Sequence, residues 1–315
     1  MAAKIFIDGE AGTTGLHIRE RLAGRADIEL IAIDPLLRKD SRARAEAING
    51  ADAVILCLPD EAAREAVSLI ANDRVRVIDA SCAHRTAPDW TYGFPEMGRA
   101  QRKAVATSKR VANPGCYATG FIALMRPLIA DGLVPKTWAV SVNAVSGYSG
   151  GGRAMIAEFD GASAPDHTQS AYRIYATDLM HKHVPEMQRH TGLAHRPLFA
   201  PAVGRFFQGM IVEVPLQLRA LPVAPRLSEI HAALARAYEN ERFVEVAAME
   251  AAGKATTLDP QLLNGTNAMR LYVFGSEAHR QARLVAVLDN LGKGASGAAV
   301  QNLNLILGLD EAAGL

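Results

Sequence analysis

The sequence predicts two domains: a doubly wound α/β domain, followed by an α+β domain with a mostly antiparallel sheet. Two observations support the first domain. Apolar, strand-like runs alternate with helical patterns through about residue 112, and a glycine-rich turn separates the first strand from the first helix. The second half instead contains several strand-like runs with fewer helices among them, which is typical of an antiparallel sheet.

The composition is that of an ordinary globular protein. The chain has 315 residues, 49% of them hydrophobic and 21% charged, and a formal net charge of +1. A near-neutral chain without a long run of one sign predicts neither a nucleic-acid nor a membrane partner. Its three cysteines lie too far apart to predict a zinc or other metal site. Because we find no secretory signal and no apolar run of ~20 residues, we expect a cytoplasmic protein.

The first predicted strand, Lys4–Asp8, leads directly into a glycine-rich turn, and helical spacing of apolar residues begins at Leu16. In a phosphate-binding loop of this arrangement, glycines let the backbone approach a pyrophosphate at the helix N-terminus. The spacing is GxxGxxG rather than GxGxxG, so an ordinary strand–helix turn is the alternative. The residues that we assign to dinucleotide binding are Gly9, Gly12, Thr13, Thr14 and Gly15.

The second predicted strand, Ile28–Ile33, ends at Asp34. An acidic residue about 20 positions past the glycine-rich turn usually binds the ribose 2′-hydroxyl and favours NAD. Basic residues follow at once, among them Arg38 and Lys39, and these suit a 2′-phosphate. The residues alone therefore leave the choice between NAD and NADP open.

The next two predicted strands, Ala53–Pro59 and Arg74–Asp79, complete the alternation of strands and helices. Cys57 lies in the first of them and is expected in the core. Ligands bind at the carboxyl ends of strands in open parallel sheets. Ser81 and Arg85, which follow the last strand, are therefore candidates for a binding site.

A cysteine follows a Pro-Gly turn at the start of a helix-like run. Cys116 comes directly after Pro114 and Gly115, and the apolar run continues to Leu133. The helix N-terminus supplies unpaired N–H groups and a partial positive charge, which favour a thiolate over a thiol. Because the thiolate is the nucleophile, Cys116 is a candidate for covalent catalysis. A small buried hydrophobe is the alternative.

The second half contributes a glycine cluster and a pair of histidines. A predicted strand, Thr137–Val145, leads into Ser146–Arg153, whose glycines allow close approach of backbone N–H groups to a ligand. Residues 154–180 are predicted to be irregular. His181 and His183 then precede a helix that has Pro185 in its first turn. Other predicted elements are strands within Leu198–Leu218, at Leu271–Phe274 and at Arg283–Leu288, a helix with Ser228 as its N-cap, and a final helix, Ala298–Gly308.

These motifs together resemble the N-acetyl-gamma-glutamyl-phosphate reductases, in the shorter form of that family, over nearly the whole chain. The most specific match is Asn113–Gly120, which resembles the family's nucleophile motif. The supporting matches are Gly9–Gly15, Ala83–Thr86, Gly93–Glu96, His181–Met187 and Asp289–Leu303. The aspartate-semialdehyde dehydrogenases share the architecture, but their usual cysteine motif differs from this one.

The resemblance implies reduction of N-acetyl-L-glutamyl 5-phosphate by NADPH to the 5-semialdehyde, a step of arginine biosynthesis that proceeds through a thioester on Cys116. It favours NADP over NAD despite Asp34. We expect His183 to be the general acid/base, with His181 as the alternative. The remaining expected roles are a 2′-phosphate contact at Arg38 or Lys39, a cofactor contact at Ser81, a nicotinamide-side contact at Asn290 and Lys293, and substrate binding at Arg85 and Arg153. Surface salt bridges are the alternative for the last two.

We therefore expect a Rossmann-type dinucleotide-binding domain formed by residues 1–112 with 290–315, and a catalytic and dimerisation domain at residues 113–289. The expected assembly is a dimer or tetramer. Two other functions are compatible with parts of this pattern. One is an enzyme like aspartate-semialdehyde dehydrogenase, and the other is a non-catalytic dinucleotide-binding regulator, for which we find no recognition module.

Overall fold

The computed structural model describes residues 2–161 and 165–315. In this part of the chain, the strands are β1 (Ala3–Asp8), β2 (Ile28–Ile31), β3 (Ala53–Leu56), β4 (Arg76–Asp79), β5 (Thr91–Tyr92), β6 (Arg110–Ala112), β7 (Ser141–Gly147), β8 (Tyr172–Ile174), β9 (Leu198–Gly204), β10 (Met210–Gln217), β11 (Val244–Val246), β12 (Met269–Ser276) and β13 (Gln281–Leu288). The α-helices are α1 (Thr13–Leu22), α2 (Ser41–Gly50), α3 (Asp60–Ser68), α4 (Arg99–Thr107), α5 (Cys116–Ala130), α6 (Gly152–Asp160), α7 (Val184–Thr191), α8 (Leu227–Ala237), α9 (Met249–Lys254) and α10 (Gly297–Leu307).

The first of two compact units comprises Met1–Pro95, Arg99–Gly115 and Ala295–Leu315. Its sheet has the strand order β2-β1-β3-β4-β6-β5, and the paired strands are parallel. A parallel sheet needs helical crossovers, and these cover both of its faces. The predicted doubly wound α/β architecture is confirmed.

Two apolar clusters on opposite faces hold this sheet. Successive side chains of a strand point to opposite faces, so Ile5 and Ile7 of β1 pack in one cluster with Ile18 of α1. Phe6 packs in the other cluster with Ile48 of α2. Burying one such side chain contributes about 1.5–3 kcal/mol. The alternation of apolar residues on β1 thus holds helices on both faces, with the glycine-rich turn at the strand's carboxyl end.

The second unit comprises Glu96–Gly98 and Cys116–Gly294. Its sheet has the order β11-β12-β13-β10-β7-β9-β8. Only the β11/β12 and β7/β9 pairs among these neighbours are parallel, so the predicted, mostly antiparallel character is confirmed.

Helix α5 lies against this second sheet and is buried along nearly its whole length. Gly120 allows the close approach, because a Cβ there would lie 2.9 Å from Cγ2 of Val212 and 3.4 Å from Cβ of Ala286. The packing fixes the start of the helix, where Cys116 lies. Apolar as α5 is, no helix in the described part of the chain is long and apolar enough to cross a bilayer.

The strands predicted within Leu198–Leu218 are confirmed as β9 and β10, whereas two other local predictions were wrong. The segment predicted to be irregular contains α6 and β8, and its residues 162–164 lie outside the described residues. The N-cap of α8 is Arg226 rather than Ser228, because the Arg226 N–H donates to Oε2 of Glu229, 2.7 Å away. In each case a local pattern did not reveal which backbone groups are paired.

Candidate active site

Cys116 is the first residue of α5 and is half-buried. The first turn of α5 contains no acidic residue, so nothing there offsets the positive end of the helix dipole, which favours a thiolate. Cys57 differs, since it packs against the apolar core of the first unit. Burial raises the pKa of the Cys57 thiol to about 12, so this thiol stays protonated.

A glycine shapes the space beside the Cys116 side chain. The Gly294 N–H donates to the Asp289 carbonyl at 2.9 Å, within a π-helical turn. A Cβ at position 294 would lie 2.7 Å from the Cβ of Cys116 and 3.1 Å from that carbonyl oxygen. Only glycine therefore fits against the cysteine at this point.

Tyrosines and histidines surround the start of α5. The Tyr117 and His181 rings meet edge to face at 5.7 Å, and the His181 and His183 ring centroids are 4.7 Å apart. The Tyr175 hydroxyl lies 3.1 Å from that of Tyr117 and 3.3 Å from Nε2 of His181. Negative charge at Cys116 contributes to raising the pKa of both tyrosines, after the larger effect of burial. Tyr117, which directly follows the predicted nucleophile, therefore shares one aromatic cluster with both histidines.

His183 is buried at the N-terminus of α7, and its Nε2 lies 4.0 Å from Oε1 of the buried Glu186. Glu186 is thus the acidic side chain beside the His183 ring. His181 is more exposed than His183. Pro185 lies in the first turn of α7, as expected.

Asn290 and Lys293 make buried contacts within the second unit. The Asn290 side chain accepts from the Gly209 N–H at 2.7 Å and donates to the Ser149 hydroxyl at 3.0 Å. The Lys293 ammonium pairs with Glu96 at 2.7 Å, and both side chains are almost wholly buried. These contacts favour structural roles for both residues, with Asn290 holding the glycine cluster in place.

In the first unit, Gly9 and Gly15 make the turn before α1 possible. Gly9 has φ +89°, and a Cβ there would lie 2.4 Å from the Cys57 carbonyl oxygen. A Cβ on Gly15 would lie 2.6 Å from the Gly9 carbonyl oxygen. The N-cap of α1 is Gly12, so no side chain caps this helix start, and the first turn of α1 has no acidic residue. Such a turn and helix start fit the pyrophosphate of a dinucleotide, with Thr13 and Thr14 in the first turn.

The exposed segment after β2 contains the residues from which the sequence predicted the choice between NAD and NADP. Oδ1 of Asp34 accepts from the Leu36 N–H at 2.9 Å, which shapes the turn. Arg38 and Lys39 are exposed on the same segment. Arg44 is instead buried and pairs with Asp8 at 2.9 Å. Two cations are thus available to a 2′-phosphate, while Arg44 anchors the end of β1.

The loop after β4 is organised around the buried Asp79. Its Oδ2 accepts from the Ser81 hydroxyl and lies 2.7 Å from Nδ1 of His84. Arg85 is buried as well, and its guanidinium donates to the carbonyls of Asn113, at 2.9 Å, and Ala80, at 3.1 Å. These bonds favour a structural role for Arg85 in joining the ends of β4 and β6, rather than substrate binding.

Arg153 is exposed in the first turn of α6, which is compatible with anion binding. The sequence predicted a place on the nicotinamide side for Gly294, next to Lys293, but not its contact with Cys116, and it predicted no role for Glu186 or Tyr175. Gly294 and Glu186 lie inside motifs that the sequence singled out. Tyr175 carried no signal, because it falls in the segment that was predicted to be irregular.

Two family models match the chain. A semialdehyde dehydrogenase NAD binding domain matches residues 10–105, and a semialdehyde dehydrogenase dimerisation domain matches residues 116–290. Together they cover most of the chain and support a nicotinamide dinucleotide as the cofactor.

Curated relatives are similar over almost the full length. The chain is 54% identical over 309 residues to the N-acetyl-gamma-glutamyl-phosphate reductase of Burkholderia cenocepacia, covering 98% of each chain. It is 56% identical over 311 residues to the protein of that name from Chelativorans sp., covering 98% of this chain and 99% of the relative. For N-acetyl-gamma-glutamyl-phosphate reductase 2 of Nostoc sp., the identity is 52% over 318 residues, covering 99% of each.

Solved structures show the same fold at low sequence identity. Aspartate semialdehyde dehydrogenase II of Vibrio cholerae, complexed with ASA, superposes with a TM-score of 0.72 at 17% identity, over 98% of each chain. The NADP-containing aspartate semialdehyde dehydrogenase of Candida albicans superposes with a TM-score of 0.65 at 12% identity, covering 98% of this chain and 99% of that one.

Proposed function

The chain belongs to the N-acetyl-gamma-glutamyl-phosphate reductase family, and from this membership we propose that it reduces N-acetyl-L-glutamyl 5-phosphate to N-acetyl-L-glutamate 5-semialdehyde and phosphate. The observation that carries the proposal is Cys116 at the start of α5, directly followed by Tyr117, which packs against two histidines.

In the proposed covalent steps, the Cys116 thiolate is first the nucleophile and finally the leaving group. Its sulfur attacks the acyl carbon of the substrate, and the bond to the phosphate oxygen breaks, leaving a thioester. When bound, NADPH supplies the hydride that reduces this thioester to a thiohemiacetal oxyanion. Backbone N–H groups at the start of α5 stabilise the oxyanion. The carbon–sulfur bond then breaks, which releases the aldehyde and restores the thiolate.

The two compact units divide these tasks in our proposal. Gly9, Gly12 and Gly15 of the first unit, with Thr13 and Thr14, hold the pyrophosphate at the start of α1. We propose NADP rather than NAD because Arg38 and Lys39 are exposed next to Asp34, whose carboxylate shapes a turn. The second unit carries the nucleophile and, as its matched family model suggests, the self-association surface of a dimer or tetramer.

Assays of the reverse reaction test the substrate and the cofactor together. We expect phosphate-dependent reduction of NADP with N-acetyl-L-glutamate 5-semialdehyde, at a kcat/KM at least about 10-fold above that with aspartate semialdehyde or with NAD. The absorbance of NADPH provides the measurement. A preference for the aspartyl aldehyde would replace the proposed substrate, and a preference for NAD would overturn the cofactor assignment alone.

We propose His183 as the acid/base, because the buried Glu186 lies beside its Nε2. In single-turnover reduction by NADPH, His183→Asn is expected to slow the chemical step about 100-fold or more. His181→Asn is expected to slow it less and serves as the matched comparison. The opposite order would assign the proton transfer to His181.

A further inference from the structure

Both ring nitrogens of His181 have hydrogen-bond partners. The His183 backbone N–H donates to Nδ1 of His181 at 3.1 Å. On the other side of the ring, Nε2 lies 3.3 Å from the hydroxyl oxygen of Tyr175. The ring also packs edge to face against Phe199 at 5.0 Å, so polar and apolar contacts together define its position.

These bonds determine which nitrogen carries the proton. A neutral imidazole has one N–H and one in-plane lone pair. Because Nδ1 accepts from a backbone N–H, it must supply the lone pair. The ring proton therefore lies on Nε2, and the ring donates to the Tyr175 oxygen. This assignment follows from the bonding partners alone.

Because the Tyr175 oxygen accepts from His181, the Tyr175 hydroxyl proton is directed to the next group in the series. This hydroxyl donates to the Tyr117 hydroxyl at 3.1 Å, and the Tyr117 oxygen lies 2.7 Å from the hydroxyl of the buried Ser146 on β7. Burial raises the pKa of both tyrosines, so both phenols keep their protons at neutral pH. Each group in the series can thus donate one proton to the next.

We propose that Tyr175 and Tyr117 are positioning residues. Their hydroxyls form a series of hydrogen bonds that ends at Ser146, and this series holds the His181 imidazole in one orientation with its proton on Nε2. The inference rests on the proposed function, because it assigns these tyrosines a part in the same reaction. Tyr117 follows the nucleophile directly in the chain, so one short segment carries both Cys116 and a member of the series. Removing a member leaves the His181 ring free to rotate beside the His183 ring, whose centroid is 4.7 Å away.

Kinetics of Tyr175→Phe test the role in the reaction. This change keeps the aromatic ring and removes only the hydroxyl, and we expect kcat to fall about 10-fold or more, with the KM for the aldehyde within about 2-fold of wild type. Tyr172→Phe is the matched control, since Tyr172 is 61% exposed on the neighbouring strand β8, and it should leave kcat unchanged. An unchanged kcat in Tyr175→Phe, or an equal fall in the control, would overturn the proposal.

NMR of ¹⁵N-histidine-labelled protein separates this proposal from the proposed function, because it needs no activity. Wild type should show His181 protonated on Nε2, with that proton protected from solvent exchange. Tyr175→Phe should lose the protection, and Tyr172→Phe should keep it. Ser146→Ala, which retains both tyrosine rings, should shift the same signal by a smaller amount. A proton on Nδ1 in wild type, or unaltered protection in Tyr175→Phe, would refute the arrangement even if the reductase activity is established.

Discussion

Cys116→Ser is expected to lower kcat for N-acetyl-L-glutamyl 5-phosphate reduction by at least about 10³-fold. The start of α5 favours a thiolate, but a serine hydroxyl ionises too weakly for the same environment to make it a comparable nucleophile. The measurement is steady-state oxidation of NADPH. The matched control is Cys82→Ser, which makes the same chemical change at a cysteine outside α5. The Cys82 sulfur lies in the loop after β4 and accepts from the Arg85 guanidinium at 3.3 Å. This control should stay within about 3-fold of wild type.

The thioester provides a second measurement of the same prediction. Incubation of wild type with the acyl phosphate in the absence of NADPH should release phosphate and leave an acyl group on the peptide that contains Cys116. The Cys116→Ser variant should form no such adduct. Full activity of this variant, or an adduct on Cys57 or Cys82, would contradict the proposed mechanism.

Lys293→Met is expected to lower the free energy of unfolding by roughly 3–5 kcal/mol. The Lys293 ammonium lies 2.7 Å from Oε1 of Glu96, with side-chain exposures of 1% and 0%. It also lies 5.5 Å from the centre of the Phe243 ring. Removing the lysine leaves the buried carboxylate without this countercharge, whose loss water cannot offset. The midpoint of guanidinium denaturation provides the measurement.

The double variant Glu96→Gln/Lys293→Met is the control for that prediction. It removes both charges, so it should recover a large part of the stability that Lys293→Met loses. A stability of Lys293→Met within about 1 kcal/mol of wild type would show that the pair is unimportant. A raised KM for NADPH without any loss of stability would instead support the cofactor contact that the sequence predicted for Lys293.

Much of the fold could be predicted because its signals are local. The alternation of apolar residues in β1 and the turn at Gly9 involve neighbours in the sequence, and the same residues form the parallel sheet and the turn before α1. The motif around Cys116 likewise placed this residue at a helix start. The segment after Gly152 could not be predicted, because α6 and β8 depend on contacts that no short pattern records.

The sequence by itself determined the two-domain architecture, the glycine-rich turn before α1 and the candidate nucleophile, since each depends on residue types at short spacing. Only the tertiary structure decided how buried polar side chains are paired. Lys293 and Glu96 are 197 positions apart, and Arg85 reaches the carbonyl of Asn113, 28 positions away. The tertiary structure also places the Tyr175 hydroxyl next to His181, and Gly294 next to Cys116. The physical reason is that a buried polar group must find a partner wherever the fold brings one, and sequence spacing does not record that partner.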